Sequence, residues 1–158
     1  MIEFTLCYPV EYDSRQVLLG QRKIEGLIGK KICGFGGHVE RSDPTILDAA
    51  LRELQEEAGI SAQLSGISKV GELYISHQSK EGLLVHIFIV NSWTGQPEET
   101  DEMKPIWFSL DALPLSGMPQ NDALWVERIL NGEKLRISLV FDENTALQNA
   151  LIETGEFA

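Results

Sequence analysis

Residues 37–60 read Gly-His-Val-Glu-Arg-Ser-Asp-Pro-Thr-Ile-Leu-Asp-Ala-Ala-Leu-Arg-Glu-Leu-Gln-Glu-Glu-Ala-Gly-Ile, a pattern that predicts one amphipathic helix. Its apolar residues recur at helical spacing, so one face is expected to pack inward. These residues are Leu47, Ala50, Leu51, Leu54 and Ala58. Thr45, with Asp48 three residues later, is typical of a helix N-cap, and Gly59 is typical of a helix end.

The polar face of this helix concentrates negative charge near its C-terminus. At about 100° per residue, Glu53, Glu56 and Glu57 fall within an arc roughly 100° wide. The C-terminus of a helix is itself partly negative, and like charges four residues apart repel, so a bound cation would stabilise the cluster. Hard divalent ions such as Mg²⁺ take oxygen ligands and bridge to substrate phosphates. Two interpretations are open here, a metal site and a solvated Glu-rich face.

A longer pattern around these glutamates favours the metal site. Gly37, Asp43 and the run Arg52-Glu53-Leu54-x-Glu56-Glu57-x-Gly59-Ile60 resemble the Nudix box. The chain departs from that consensus twice, because Asp43 replaces a Glu and because one extra residue, Pro44, lengthens the spacing to Arg52. In the family that Glu orients the Arg, so the pairing of Asp43 with Arg52 is left open.

Flanking segments extend the resemblance to approximately residues 4–153. Gly34-Phe35-Gly36-Gly37 and Asp101-Glu102-Met103-Lys104-Pro105-x-Trp107-Phe108-x-Leu110-Asp111 are similar to segments of the Nudix triphosphatases that remove oxidised purine nucleotides. The resemblance implies an α+β Nudix fold, an α/β/α sandwich with a mixed β-sheet and the loop-helix-loop of the box. It also implies a single Nudix hydrolase domain over residues 1–158.

The same resemblance implies metal-dependent hydrolysis of a nucleoside triphosphate to the monophosphate and pyrophosphate. In this branch the substrate is an oxidised purine nucleotide such as 8-oxo-dGTP or 2-hydroxy-dATP, and the cofactor is Mg²⁺, with Mn²⁺ as the other option. The catalytic residues would be Arg52, Glu53, Glu56 and Glu57. The metal ligands would be Glu53, Glu56, Glu57, Gly37 and Glu102. Gly37, Asp43 and Gly59 would have structural roles in the box.

Two of these assignments keep alternatives. The general base is Glu53 or Glu56, and the spacing does not decide between them. Glu102 is equally well explained as an exposed loop residue.

A purine pocket is also implied, and this chain changes its lining. The residues expected to contact substrate are Lys23, Cys33, Phe35, Gly36, His38, Met103, Asn121 and Asp122. Cys33 stands where relatives have an Asn and Pro119 where they have an aromatic residue, and neither can reproduce the lost hydrogen bonds or stacking. Cys7 is expected to line the same pocket. Asn121 and Asp122 are equally well explained as caps of a second helix.

Composition limits the class of partner. The chain has 158 residues and a formal net charge of −11, which argues against binding nucleic-acid polymers or anionic membranes. A small phosphorylated ligand is compatible, because a metal and a group of cationic side chains supply local positive charge. These side chains are Arg22, Lys23, Lys30 and Lys31, and a solvated loop explains them equally well. Without a recognisable signal or membrane segment, a cytoplasmic location is expected; the number of subunits is open.

Patterns elsewhere predict strands over residues 3–10, 16–19, 69–76, 84–93, 106–110 and 134–141. A second helix is predicted to begin at Asn121 or Asp122 and to end at Gly132. The tail to Thr154 is predicted to close a hairpin, although residues 146–152 also fit a short helix.

Two other functions stay open. The box specifies pyrophosphate chemistry but not the attached group, so the substrate could be a nucleotide sugar, a dinucleotide or a pterin triphosphate. A non-catalytic nucleotide-binding Nudix module is the other alternative. Retention of Arg52, Glu53, Glu56 and Glu57 argues against it.

Overall fold

A computed structural model describes residues 1–23 and 31–157. Its helices and strands are, in chain order, β1 (Ile2–Glu11), β2 (Gln16–Arg22), β3 (Ile32–Cys33), α1 (Ile46–Ala58), β4 (Ile67–His77), β5 (Lys80–Val90), β6 (Met103–Ser109), α2 (Val126–Leu130), β7 (Leu135–Phe141) and β8 (Leu147–Thr154). The predicted strands are confirmed with shifted ends. Of the helices within the described ranges, none is long and apolar enough to span a membrane.

The sheet is mixed, as predicted. Its main part has the strand order β1-β5-β4-β7-β8. Strands β1 and β5 are parallel, as are β4 and β7, whereas β5 and β7 pair antiparallel with β4 and β8 respectively. Strand β2 pairs with β6 along its whole length and reaches β1 and β3 on its other side. Strand β8 therefore lies at one end of the order.

Helices cover both faces of the sheet. Neighbouring residues of a strand point to opposite faces, and β1 shows this clearly. Cys7 packs in the apolar cluster beneath α1, with Leu54 and Ala58, whereas Tyr8 packs in the cluster that contains Trp125 and Ile129. The α/β/α sandwich is therefore confirmed.

Helix α1 begins and ends where local sequence predicts. Thr45 accepts a hydrogen bond from the backbone N–H of Asp48 at 3.1 Å, which satisfies one of the free donors of the first turn. Gly59 adopts φ of 71°, the left-handed conformation that terminates helices.

The second helix differs from the prediction. Residues 122–124 form a turn of 3₁₀-helix, and α2 starts only at Val126. Neither Asn121 nor Asp122 caps α2, because short backbone bonds such as Trp125 N–H to the Asp122 carbonyl already tighten this segment. The Asp122 side chain is consequently available for another role. The C-terminal tail forms β8, which confirms the closing hairpin rather than a helix.

Residues 35–39 run along β1 as an antiparallel neighbour and place the loop before α1. Phe35 and Cys7 exchange backbone hydrogen bonds of 2.6 and 2.9 Å, and Thr5 donates to the Gly37 carbonyl at 2.9 Å. The approach is so close that a Cβ on Gly36 would lie 1.8 Å from the Thr5 carbonyl oxygen. Only glycine fits between the two backbones.

Gly36→Ala is expected to destabilise the protein by about 3 kcal/mol or more, because the backbone must shift to accept the methyl group. Urea unfolding monitored by circular dichroism measures this change. Gly82→Ala is the matched control, since a Cβ there meets its nearest atom at 3.5 Å. Equal unfolding midpoints for the two variants would contradict the close contact.

Candidate active site

The Arg52 side chain connects the loop before α1 with the acidic face of the helix. Its Nε donates to Asp43 Oδ1 and its Nη2 to Asp43 Oδ2, each at 2.9 Å. Nη2 also reaches the His38 carbonyl at 3.1 Å, and Nη1 lies 3.0 Å from Glu53 Oε1 and 3.3 Å from Glu56 Oε2. One guanidinium therefore orients two of the three glutamates.

Asp43 pairs with Arg52 despite its shorter side chain and the extra residue. Its Oδ2 also accepts from the Glu40 backbone N–H at 2.8 Å, which closes a turn before the helix. The Arg52 hydrogen bonds, with that backbone bond, lower the pKa of Asp43. A two-point fork holds a guanidinium in both position and orientation.

Glu57 contacts the backbone of the glycine-rich loop. Its Oε1 accepts the Gly36 backbone N–H at 2.7 Å, and the residue is only 4% exposed. Burial raises the pKa of Glu57 to about 7, with the charges of Glu53 and Glu102 acting in the same direction. The ligand role of Glu102 stays a prediction.

Glu53 lies directly against the same loop. A Cβ on Gly37 would be 2.6 Å from Glu53 Oε1, so the carboxylate packs on bare backbone. Partial burial raises the pKa of Glu53, and the Arg52 guanidinium opposes that rise. Glu56 is the outermost of the three, with a side chain 57% exposed beside Arg52.

The donor chemistry of this face suits a hard divalent cation. Carboxylate oxygens are the ligands that Mg²⁺ and related ions prefer, and a cation would offset the cost of holding Glu53 and Glu57 out of water. Gly36 N–H engages Glu57 through Oε1, which leaves Oε2 for another partner. Within residues 1–23 and 31–157, no three His, Cys, Asp or Glu side chains already converge on one metal position. The ligand roles of the glutamates therefore stay predictions.

A cavity of about 390 Å³ opens beside the glycine-rich loop. Its wall is mainly apolar and includes Leu73, Ile75 and Val85 from the sheet. Gly36 and Gly37 form part of its lining, so the cavity and the carboxylates share one stretch of backbone. Such a mixture of apolar wall and few polar groups is typical of small-molecule sites.

Four of the predicted substrate residues line this cavity: Cys33, Gly36, His38 and Asp122. Pro119 lines it as well, at the position where relatives have an aromatic residue. The His38 ring packs against the Phe4 ring with centroids 4.1 Å apart. The structure thus brings together residues that are far apart in the sequence.

The other predicted substrate contacts lie elsewhere. Phe35 and Met103 are fully buried and pack against each other beside Gly20, where a Cβ would come within 2.8 Å of Phe35. Lys23 points away and forms an ion pair with Glu99 at 2.5 Å. Asn121 belongs to the turn before the 3₁₀ segment and is not part of the cavity wall.

Cys7 and Lys30 were also expected to lie near the ligand. Cys7 does not line the cavity, because its thiol is fully buried beneath α1 and lies 3.8 Å from the Ala50 carbonyl. Its burial raises the thiol pKa strongly. Lys30, one of the proposed phosphate contacts, lies outside the described residues.

Sequence reasoning missed three polar groups on the cavity wall. The Thr5 hydroxyl, the Arg22 Nε and the Trp125 indole N–H are buried and have no hydrogen-bond partner within the described part of the chain. Buried polar atoms without partners are costly, so these three are suited to a ligand. Arg22 was included only in the cationic group, because the predicted strand ended at residue 19 and alternation could not be extended to Arg22.

Asp122 is the acidic group of the cavity. Burial raises its pKa to about 7, and no partner charge opposes the rise. At neutral pH the carboxyl is therefore present in both protonation states and can donate or accept a hydrogen bond.

A family model described as the NUDIX domain matches residues 5–129. The chain belongs to the Nudix family. A Mus musculus protein named oxidized purine nucleoside triphosphate hydrolase is 36% identical over 145 residues, which are 90% of each chain. A Danio rerio protein of the same name is 38% identical over 120 residues, 75% of this chain and 74% of that one.

Solved Nudix structures support the same fold. The crystal structure of a mutator MutT protein from Bacillus halodurans superposes with a TM-score of 0.78 and 21% identity, over 97% of this chain and 98% of that chain. The chain is a Nudix pyrophosphohydrolase, and Nudix hydrolases generally need a divalent metal.

The two hydrogen bonds between Asp43 and Arg52 can be tested by substitution. Asp43→Asn keeps the side-chain shape but leaves one acceptor oxygen. Three donors, namely the Arg52 Nε, the Arg52 Nη2 and the Glu40 backbone N–H, then share that oxygen, so Arg52 is held less firmly. We expect turnover to fall about 10–100-fold, as for other residues that orient catalytic groups. Steady-state kinetics of pyrophosphate release measures the change.

Asp111→Asn is the control for that measurement. Asp111 forms a similar two-point pair with Arg15 at 2.7 and 3.1 Å, but on the surface. Equal turnover in both variants would show that the Asp43 fork does not orient Arg52.

The buried carboxyl of Asp122 makes stability depend on pH. Because folding raises the pKa of Asp122 from 3.8 to about 7, its stabilising effect is complete below about pH 4 and is lost as pH rises through 7. Asp122→Asn cannot ionise. The unfolding temperature of the variant relative to the native protein should therefore increase from about pH 4 to about pH 7 and then level off, measured with a chelator present. A constant difference across that range would contradict a buried, protonated Asp122.

Proposed function

We propose that this Nudix hydrolase, acting as a single domain over residues 1–158, cleaves an oxidised purine nucleoside triphosphate to the monophosphate and pyrophosphate. The names of the Mus musculus and Danio rerio relatives support this substrate class. We propose Mg²⁺ as the cofactor, in keeping with its preference for carboxylates and phosphate oxygens. The net charge of −11 favours a free nucleotide over a nucleic-acid polymer as partner.

The shared loop is the observation that supports the proposal most strongly. Gly36 and Gly37 touch Glu57 and Glu53 on one side and line the apolar cavity on the other. A planar base within the cavity would therefore direct its phosphates along the loop towards the carboxylates. Positioning of this kind supplies much of the rate enhancement in phosphoryl transfer.

The polar groups of the cavity suit the edge of a purine. Asp122 can donate or accept, and the Thr5 hydroxyl can do either. The Arg22 Nε and the Trp125 indole N–H are donors without a partner among residues 1–23 and 31–157. A buried site that pairs such groups discriminates by several kcal/mol against a base that leaves them unpaired. An added or shifted polar group on the purine is the type of difference that such a site can detect.

The three glutamates differ in environment, which suggests different roles. Glu57 is buried and held by Gly36, so it suits a fixed ligand position. Glu53 and Glu56 are oriented by Arg52, and either could take a proton from the attacking water. A bound divalent cation would neutralise charge on the phosphate oxygens and lower the pKa of that water.

The experiment that tests the proposal is pyrophosphate release from a panel of nucleotides, with and without Mg²⁺. The panel contains 8-oxo-dGTP, 2-hydroxy-dATP, the four normal deoxynucleoside triphosphates, a nucleotide sugar and a dinucleotide. Metal-dependent turnover with the highest kcat/KM for an oxidised purine supports the proposal. If kcat/KM is highest for the nucleotide sugar or the dinucleotide, the proposed substrate class is wrong. If no compound is turned over, the proposed activity is wrong.

Glu56→Gln is expected to reduce turnover at least about 100-fold while leaving the fold intact, because an amide neither takes a proton nor binds a cation as a carboxylate does. Pyrophosphate release at saturating substrate measures the loss, and circular dichroism checks the fold. Glu143→Gln, in the turn before β8, is the charge-matched control. Near-native turnover in a folded Glu56→Gln protein would exclude Glu56 from the reaction.

A further inference from the structure

A second cavity opens at the other end of strands β2 and β6 from the glycine-rich loop. Its volume is about 650 Å³, within the usual range for small-molecule sites. Among the described residues, none lines both this cavity and the one beside the glycine-rich loop. The wall of the second cavity combines two tryptophans with polar side chains, among them Trp93, Trp107, Glu11, Gln16, Asn91 and Gln96.

We propose that the second cavity binds a ligand with a guanidinium group, which stacks on the tryptophan pair and donates hydrogen bonds to Glu11. The arrangement of the two rings, the charge of the wall and its hydrogen-bonding groups each favour this cation.

The two indole rings keep aromatic surface that neither covers for the other. Their centroids lie 6.0 Å apart and their planes are 27° from parallel, so the rings overlap only in part. Trp107 remains 37% exposed. Within the described ranges, lysine and arginine side chains lie over the ring of Phe157 rather than over these tryptophans. A cation supplied by a ligand can therefore stack on the pair.

The charge of the wall selects a cation. Glu11 is the only acidic or basic residue that lines the second cavity within residues 1–23 and 31–157. Arg15, in the same hairpin, is already held by Asp111 through two hydrogen bonds of 2.7 and 3.1 Å. A phosphate would meet only negative charge in this cavity, in a protein whose net charge is −11. The wall therefore disfavours a nucleotide and favours a positively charged group.

The hydrogen-bonding groups distinguish a guanidinium from an ammonium. The Glu11 carboxylate only accepts, and the amides of Gln16, Asn91 and Gln96 each provide an acceptor oxygen. A guanidinium has five N–H donors in one plane, so its edge can pair with a carboxylate while its face stacks on an indole. An ammonium is a compact, strongly hydrated charge without a flat face. The combination of carboxylate edge and indole face therefore suits the guanidinium better.

Backbone hydrogen bonds fix both sides of the cavity before a ligand binds. Next to Trp93, Thr94 and Ser61 exchange backbone hydrogen bonds of 2.8 and 3.0 Å, which tie this segment to the residues after α1. On the other side, Trp107 belongs to the ladder between β6 and β2. Preformed walls reduce the entropy lost on binding.

The second cavity is separate from the carboxylates of the active site. Trp107 lies four residues along β6 from Met103, whose ladder partner Arg22 lines the first cavity. Four residues of a strand span about 13 Å. Binding to the second cavity can therefore be measured without substrate, metal or turnover.

Titration with L-arginine amide tests the site, followed by heteronuclear NMR of the tryptophan indole N–H groups. The chain has three tryptophans, and the third, Trp125, lines the other cavity and serves as an internal control. Trp93→Leu and Trp107→Leu assign the signals. L-citrulline amide is the matched control ligand at equal ionic strength, because it has nearly the same shape without the charge.

We expect the Trp93 and Trp107 signals to shift with a Kd on the order of 1 mM, as for a ligand of this size, while the Trp125 signal stays in place. L-citrulline amide and L-lysine amide should bind at least about fivefold more weakly, because the first lacks the charge and the second the flat face. Glu11→Gln should weaken binding of L-arginine amide about fivefold, a modest factor because Glu11 is exposed. Glu143→Gln is the charge-matched control and should leave the Kd unchanged.

A short blocked peptide, Gly-Arg-Gly, distinguishes the two sources of a guanidinium. Tighter binding of the peptide than of L-arginine amide supports the site with an arginine of a partner protein as its ligand, and equal or weaker binding supports it with a free small molecule. Equal shifts with L-citrulline amide, an unchanged Kd in Glu11→Gln, a shift confined to Trp125, or no shift would overturn the proposal.

Discussion

The acidic site depends on the ion pairs of one guanidinium. Arg52 holds Asp43 on the loop side and Glu53 and Glu56 on the helix side, and it also binds the His38 carbonyl. Like charges on one helix face repel, and the fixed positive charge between them offsets much of that repulsion. Arg suits this task because its planar fork binds several oxygens in defined directions and always keeps its charge.

Glycine permits the second contact on which the site depends. The glycine-rich loop approaches β1 and α1 so closely that side chains at Gly36 and Gly37 would collide with the Thr5 carbonyl and the Glu53 carboxylate. This proximity lets a backbone N–H bind the buried Glu57. The helix supplies the carboxylates, and the bare backbone of the loop determines how two of them are oriented.

Local features of the sequence were sufficient to predict α1 and its ends, whereas the mixed sheet was implied by the resemblance to the Nudix family. Caps and apolar periodicity act within a few residues, so Thr45, Gly59 and the inward face could be read directly. The Asp43 pairing could not, because the extra Pro44 alters the spacing on which motif comparison relies. Only the folded turn shows that the Asp43 carboxylate reaches two of the Arg52 nitrogens, Nε and Nη2.

The cavity lining was less predictable, because it depends on packing between distant segments. Phe35 and Met103 lie in the core beside Gly20 and are therefore not on the cavity wall. The predicted end of β2 fell at residue 19, three residues before its observed end at Arg22, so the alternation that separates Arg22 from Lys23 could not be applied. The 3₁₀ turn, in which the Asp122 side chain does not cap α2, likewise has no strong sequence pattern.

The loop shared by cavity and carboxylates links recognition to the chemical step. A ligand that fits poorly against Gly36 would shift the N–H that holds Glu57, and with it a group expected to bind the metal. Discrimination between bases would then appear in kcat as well as in KM, because a wrong base would bind and yet leave the carboxylates misaligned. In such an enzyme the pocket acts as a check on catalysis and does not merely select what enters.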